Sequence, residues 1–357
     1  MDREYTRRIE TIEAALEKYL PPLPGQDWLA GIFPGLDLNG GLCEDLLAPG
    51  RDLLCRGGKR WRPLLSLLVC QALGGGEAAL PLLPLVEFPH NASLIHDDLE
   101  DQSEERRGSP AVHLLYGNDT AVNSGSFLYF LPLAALENWE AGDKAKTRVW
   151  KLWGEHMRRL HLGQSLDIAW HRDPALVPSR EAYMLMCRLK TGCLARFAAL
   201  LGVEAARSVR GEAEQAGGGP GGALGEAAEK IGVGFQILDD VKNVSAGTPG
   251  KKRGDDVVEG KKSLPVILFL RDQILSPRER EGRSALIRRC FEAARKGGAG
   301  VPEVEECTGA LARAGVLEAA AEQGRVLIRE AAETFASLPA LDPEAGGLLA
   351  RFAELLS

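Results

Sequence analysis

The chain has 357 residues, of which 45% are hydrophobic and 26% charged, and its formal net charge is −7 at pH 7. This apolar content is normal for a globular protein with a substantial core, and the acidic balance argues against a general binder of nucleic acid or acidic membranes. Seven scattered cysteines without a CxxC pair indicate neither a disulfide framework nor a zinc site. Since the sequence shows no apolar signal core and no apolar run of spanning length, we expect a cytoplasmic protein without stable membrane insertion.

Helical spacing of apolar residues begins at the N-terminus. The steps from Tyr5 to Tyr19 predict an amphipathic helix that ends before Pro21-Pro22. A connector rich in Pro and Gly follows, and a second helix is predicted over residues 42–56. We therefore expect an N-terminal helix and connector over 1–41 and a helical bundle over 42–357, together forming one domain.

A basic cluster, Lys59-Arg60-Trp61-Arg62, comes after two glycines and directly before Pro63 and an apolar run. Proline suits the first turn of a helix, and the free backbone N–H groups there, together with cations, form an anion site. A solvated basic turn is the alternative interpretation.

The next element carries an acidic motif, His96 to Asp101. Asp97 and Asp101 are four residues apart, so on a helix their carboxylates project from one face. Two carboxylates placed this way repel each other unless a cation lies between them, and oxygen ligands without His or Cys select Mg²⁺. The following Arg106-Arg107 pair suggests a ligand that carries phosphate. A solvated helix end with surface ion pairs is the alternative.

Further helices are predicted over 120–139, 148–170 and 179–201. The last of these contains Lys190-Thr191-Gly192 at its middle. A lysine inside an apolar pattern either extends its amine to solvent or faces an anion such as a diphosphate.

A second oxygen-rich cluster runs from Gln236 to Asn243, with Asp239 and Asn243 one helical turn apart. It follows an apolar segment in which bare charges are costly unless they are paired or bound to metal. We interpret the two clusters as facing walls of one magnesium site. Helical spacing returns from Leu264 to the C-terminus and strand-like alternation is scarce, so the predicted fold class is all-α.

In this order the motifs resemble those of the trans-isoprenyl diphosphate synthase (polyprenyl synthetase) family, and the resemblance runs from about Gly57 to Pro265. Asn243 stands where the commoner family form has Asp, and an amide oxygen is the weaker magnesium ligand. Geranylgeranyl diphosphate synthases of the eukaryotic type are similar in having Asn there and in the run from His90 to Leu94. The motifs are Gly58 to Pro63, His90 with Asp97 to Asp101, Arg106 to Gly108, Gly163-Gln164, Lys190 to Gly192, and Gln236 to Asn243.

The resemblance implies a homodimer of the all-α isoprenoid synthase fold, with a central cavity and two or three Mg²⁺ ions. It assigns the metal ions to Asp97, Asp98, Asp101, Asp239 and Asp240. It places Arg106, Lys190, Thr191, Gln236, Lys251 and Lys261 at the allylic diphosphate, and Lys59, Arg62, His90 and Arg107 at isopentenyl diphosphate. The catalytic set is then Asp97, Asp101, Arg106, Lys190, Thr191, Gln236 and Asp239, with Gln164 and Asp167 matching a further signature.

The implied reaction is the head-to-tail condensation of isopentenyl diphosphate with an allylic prenyl diphosphate. Ala92 and Ser93, which lie about one turn before Asp97, are small, whereas an aromatic residue there would stop chain growth. We therefore expect a product of twenty or more carbons, geranylgeranyl diphosphate first. The alternatives are a farnesyl or a longer polyprenyl diphosphate synthase, a terpene cyclase, which needs no second diphosphate site, and a non-catalytic partner subunit.

Overall fold

A computed structural model describes residues 3–173, 175–211, 221–246, 254–271 and 275–354. Lys251 and most of the glycine-rich stretch Gly217–Gly222 lie outside these ranges.

Within the described residues the protein is almost entirely helical. The strands found there form one hairpin, β1 (Glu105–Arg106) and β2 (Ser109–Pro110). The helices are α1 (Arg3–Glu17), α2 (Gln26–Ile32), α3 (Glu44–Cys55), α4 (Trp61–Ala72), α5 (Pro84–Glu100), α6 (Val112–Tyr116), α7 (Asn118–Phe130), α8 (Leu133–Glu137), α9 (Asp143–Arg172), α10 (Arg180–Cys187), α11 (Cys193–Arg210), α12 (Gly221–Ser245), α13 (Asp255–Val258), α14 (Leu264–Arg271), α15 (Pro277–Gly297), α16 (Pro302–Arg313), α17 (Val316–Ala336) and α18 (Pro343–Ala350).

Most predicted helices appear near their expected bounds, but the single helix predicted over 120–139 is wrong. The chain forms α7 and α8 instead, and the break falls at Leu131 and Pro132. Proline has no N–H to donate and its ring collides with the preceding turn, which ends α7.

The contacts divide the chain into two compact units, each built from separate stretches of sequence. The first unit comprises residues 1–156, 194–228 and 332–357, and the second comprises 157–193 and 229–331. In the first unit α5 packs along α7 and α3, and α4 packs against α18. In the second unit one apolar cluster surrounds Tyr183 and Ile237, and another surrounds Phe291. That the chain is one domain stays a prediction.

None of the helices that the structure describes combines the length and the apolar character needed to cross a membrane.

Candidate active site

The carboxylates of the first acidic motif stand at the C-terminal end of α5. Asp101 caps this helix, and its backbone N–H donates to the carbonyl of Asp97 at 2.8 Å. Asp97 and Asp101 are partly exposed, whereas Asp98 between them is fully buried. The carboxylates of the predicted pair are thus both partly exposed, and Asp98 points into the protein.

Asp98 forms an ion pair with Arg106. The Arg106 Nε donates to the two carboxylate oxygens of Asp98 at 2.9 and 3.0 Å, and its Nη2 contacts Oδ1 as well. The same Nη2 lies 3.9 Å from Asp97 Oδ2. Because the carboxylate is buried and bound on both oxygens, the Arg106 guanidinium is fixed beside the partly exposed Asp97.

Arg106 and Arg107 are carried by the β1–β2 hairpin, whose two loop residues are Arg107 and Gly108. Their φ angles are +54° and +75°. Left-handed φ at both loop positions defines the turn that matches the twist of a two-residue hairpin, and glycine adopts it without strain. Arg56 supports the hairpin, since its Nη1 donates to the carbonyls of Arg106 and Pro110 at 3.0 and 2.9 Å.

A set of arginines surrounds His90 on α5. Arg62 Nη1 lies 3.2 Å from His90 Nε2, and because a guanidinium cannot accept, that nitrogen accepts and the ring is neutral. Burial, followed by the charges of Arg62, Arg107, Arg60 and Arg106, lowers the pKa of His90 well below its usual value. The first unit therefore holds a concentrated positive field, as an anion site requires.

Lys59 directly precedes Arg60 in the sequence. Its side chain is exposed, and its backbone carbonyl accepts a hydrogen bond from the Tyr5 hydroxyl at 3.3 Å. The guanidinium of Arg62, three residues later, stacks over the Trp61 ring at 4.3 Å.

In the second unit, α12 carries the second acidic motif. Like the first motif, it has a more exposed aspartate next to a buried one. Asp239 is exposed, and Asp240 is buried with 6% exposure. Asp240 Oδ1 accepts from Gln236 Nε2 at 2.9 Å and Oδ2 accepts from the Tyr183 hydroxyl at 2.7 Å. Burial, together with the negative charge of Asp256, raises the pKa of Asp240 to about 7.

Gln236 is held at both ends of its amide. Its Nε2 donates to Asp240, and its Oε1 accepts from the Thr191 hydroxyl at 2.8 Å. Tyr183, Asp240, Gln236 and Thr191 thus form one hydrogen-bonded chain that fixes the orientation of the Gln236 amide.

Thr191 belongs to a π-helical turn, Arg188–Gly192, which joins α10 to α11. Such turns occur mostly as single insertions in α-helices and often at functional sites. Gly163 on α9 packs directly against the turn, since a Cβ at this glycine would lie 2.3 Å from the Lys190 backbone nitrogen. The predicted glycine is therefore needed for close approach.

Lys190 does not simply extend into solvent, which was one of its two expected roles. Its Nζ donates to Asp167 Oδ2 on α9 at 2.6 Å, and the two side chains are 18% and 12% exposed. Lys190 and Asp167, which belong to different motifs and lie 23 residues apart in the sequence, therefore form one ion pair. The ion pair holds the ammonium group at a fixed place.

Asn243 connects α12 to the segment around α13. Its side chain is 1% exposed, its Oδ1 accepts from the Asp256 backbone N–H at 3.1 Å, and its carbonyl accepts from Gly254 at 3.0 Å. The side-chain oxygen that a metal would need is thus bound to the backbone.

Lys261, another predicted substrate-binding residue, lies after α13. Its Nζ contacts Glu259 and lies 3.9 Å from Asp256 Oδ1.

That Asp98 and Asp240 bind magnesium stays a prediction. In the structure the carboxylate of Asp98 accepts from Arg106, and the carboxylate of Asp240 accepts from Gln236 and Tyr183. The sequence held a signal for this orientation. Asp98 lies three residues after the buried Ile95 and Asp240 three after the buried Ile237, so each continues the buried stripe of its helix.

Among the described residues no three His, Cys, Asp or Glu side chains form a metal-binding group. This donor set still fits Mg²⁺, which proteins commonly hold through one or two carboxylates while substrate phosphates and water complete the shell. The carboxylates that would hold such ions are the partly exposed Asp97 and Asp101 in the first unit and, separately, the exposed Asp239 in the second unit.

The fold and these motifs have known counterparts. A solved structure of geranylgeranyl pyrophosphate synthetase from Pyrococcus horikoshii superposes with a TM-score of 0.77 and 25% identity, covering 98% of this chain and 96% of that one. This likeness confirms the all-α isoprenoid synthase fold.

Curated relatives agree with the structural match. Geranylfarnesyl diphosphate synthase of Aeropyrum pernix is 32% identical over 83% of this chain and 89% of its own length. Geranylgeranyl pyrophosphate synthase of Eremothecium gossypii is 35% identical over 63% of this chain and 69% of its own length.

The family model for polyprenyl synthetase matches residues 44–296. The chain therefore belongs to the polyprenyl synthetase family, and the predictions of this family and of a prenyltransferase are confirmed.

Proposed function

We propose that the protein condenses isopentenyl diphosphate with an allylic prenyl diphosphate to give a prenyl diphosphate of twenty or more carbons, geranylgeranyl diphosphate first. Two of the relatives are named for products of twenty and twenty-five carbons, which supports this length.

The observation that carries the proposal is the positive field around His90. Arg62 and Arg107 are near a neutral imidazole, and they lie on the same unit as the carboxylates of Asp97 and Asp101. A terpene cyclase binds a single diphosphate and has no use for a second cationic set. An enzyme that joins two diphosphates needs one, and we assign this set to isopentenyl diphosphate.

The residues suit ionisation of an allylic diphosphate. Magnesium bound with the diphosphate would offset the negative charge that develops on the leaving group. Arg106, held by Asp98, and Lys190, held by Asp167, supply fixed positive charge that needs no reorganisation during the reaction. The oriented Gln236 amide and the Thr191 carbonyl supply oxygen dipoles for the carbocation.

The proposed chain length rests on α5. Ala92 is fully buried and Ser93 is partly buried, with its hydroxyl donating to the His90 carbonyl at 2.8 Å. Both side chains are small at the position where a large ring would limit product growth.

We also propose a homodimer. Four large apolar side chains on α6 and α7 are about half exposed: Leu114 at 57%, Leu115 at 51%, Val122 at 45% and Phe130 at 62%. An apolar surface of this kind is typical of an interface, and a second copy would cover it. Light scattering on the purified protein and on Phe130→Glu tests this, since the variant is expected to shift toward monomer.

Release of inorganic pyrophosphate tests the reaction. With Mg²⁺ and an allylic primer, release is expected to require isopentenyl diphosphate. Release from the allylic substrate by itself would indicate a cyclase, and no release under any condition would indicate a non-catalytic partner subunit.

A further inference from the structure

Two buried polar residues of α5 lie outside the catalytic and substrate-binding groups described above. Glu87 is 2% exposed and Asn91, one helical turn later, is 1% exposed. Asn91 Nδ2 donates to the Glu87 carbonyl at 2.8 Å and to Glu87 Oε1 at 3.1 Å. The two side chains therefore act as one hydrogen-bonded pair inside the first unit.

Glu87 holds the loop that carries Lys59. Its Oε1 accepts from Arg60 Nη1 at 2.9 Å. Arg60 has a left-handed φ of +45° and is 3% exposed, and the same Nη1 donates to the Gly57 carbonyl at 3.2 Å. Its Nε donates to Glu13 on α1 at 2.7 Å. Arg60 is thus a structural clamp of the loop.

Asn91 holds the other basic loop. Its Oδ1 accepts from Arg107 Nη1 at 3.2 Å, and the same nitrogen donates to the Leu53 carbonyl at 2.9 Å. Arg107 also has a left-handed φ. The two loops touch, since a Cβ at Gly58 would lie 3.3 Å from the guanidinium carbon of Arg107.

A left-handed φ at a residue other than glycine costs about 1–3 kcal/mol and persists where the surroundings impose it. The first unit has two such arginines, one in each basic loop, and both donate to the same buried pair. We propose that Glu87 and Asn91 are positioning residues that set the two loops at the spacing isopentenyl diphosphate requires. This inference rests on the proposed function, which assigns the basic set to that substrate.

Steady-state kinetics of Glu87→Ala and Glu87→Gln tests the proposal. Alanine removes the side-chain acceptor that Arg60 and Asn91 share, and we expect the KM for isopentenyl diphosphate to rise about tenfold. Glutamine keeps an acceptor oxygen, so its KM should lie between those of the wild type and Glu87→Ala. Both variants lose the same negative charge, and charge loss without a geometric effect would instead lower the KM for an anion by similar amounts.

The allylic substrate provides the internal comparison. We expect its KM to stay within about twofold of the wild-type value in both variants. Asn91→Ala changes no charge and removes the acceptor for Arg107, so its KM for isopentenyl diphosphate should rise about fivefold. It also keeps the test valid if Glu87→Ala does not fold.

Glu204→Ala is the matched control. Glu204 is 5% exposed in the same unit and accepts from Arg148 Nε at 2.6 Å and from Arg207 Nη1 at 2.7 Å. Its loss should lower the melting temperature and leave both KM values unchanged.

The outcomes distinguish a failure of the positioning role from a failure of the proposed function. A wild-type enzyme that consumes isopentenyl diphosphate, with variants whose two KM values stay constant or rise together, overturns the positioning role and keeps the proposed function. A wild-type protein that consumes no isopentenyl diphosphate with any allylic primer overturns both.

Discussion

Asp98 and Arg106 form a buried ion pair in which one guanidinium binds both oxygens of one carboxylate. The neighbouring Asp97 remains partly exposed, with its Oδ2 3.9 Å from the same guanidinium. Consecutive aspartates therefore differ in their surroundings, since Asp97 is partly exposed and Asp98 binds the guanidinium beside it.

Substitutions at these two aspartates should have different effects. Asp97→Asn is expected to lower kcat about a thousandfold and to change the melting temperature little, because its charge acts on the ligand. Asp98→Asn should lower the free energy of unfolding by about 3 kcal/mol, because it removes the buried negative charge that binds the Arg106 guanidinium. Urea denaturation and kcat on both variants test this, and equal loss of stability would contradict the assignment.

Tyr183→Phe should disturb catalysis through Gln236. The hydroxyl donates to Asp240, and without it a buried carboxylate loses one of its donors. We expect kcat to fall about tenfold while both KM values change less than about threefold. Tyr19→Phe, at another buried tyrosine, serves as the control. If kcat stays at the wild-type value in Tyr183→Phe, Asp240 does not need this donor to orient Gln236.

His90 should make stability depend on pH. Its pKa in the folded protein lies well below the value near 6.5 of the unfolded chain. The contribution of His90 to the free energy of unfolding is therefore present above pH ~6.5. It is lost as the pH falls below that value, by up to about 1.4 kcal/mol per pH unit.

Denaturation of the wild type and of His90→Gln between about pH 8 and about pH 5 isolates this effect. The difference in unfolding free energy between the two proteins should shift in favour of the variant below pH ~6.5. Isopentenyl diphosphate should reduce this shift, because a bound anion opposes the arginine charges. A difference that is independent of pH would show that His90 takes up protons normally in the folded state.

Ala92→Phe should shorten the product. In this variant a ring replaces the buried methyl group of Ala92 on α5. One helical turn rises about 5.4 Å, close to the length of one isoprene unit, so a ring about one turn before Asp97 leaves room for fewer units. Chromatography of the dephosphorylated products should show fifteen carbons or fewer, and Ser93→Ala should keep the wild-type length. An unchanged product in Ala92→Phe would place the length limit elsewhere.

Much of this arrangement follows from local sequence. The four-residue spacing of Asp97 and Asp101 and the apolar run before them predict α5 and its ligand face. The Arg107-Gly108 turn follows from the conformational freedom of glycine. These features depend on neighbours within one or two helical turns, which is the range over which a sequence pattern is informative.

Features that depend on distant contacts could not be predicted in this way. The Lys190–Asp167 ion pair and the Tyr183–Asp240 hydrogen bond each join different helices, and the π turn at 188–192 leaves no mark in the periodicity. That the two acidic motifs act in one site stays a prediction, as do the magnesium ions.

Incubation with labelled isopentenyl diphosphate, farnesyl diphosphate and Mg²⁺, followed by dephosphorylation and chromatography, tests prenyl transfer most directly. The account predicts that the label enters a prenyl alcohol of twenty or more carbons in the wild type and not in Asp97→Ala. Label that remains in isopentenyl diphosphate with the wild type, or an Asp97→Ala variant that works as well as the wild type, would contradict it.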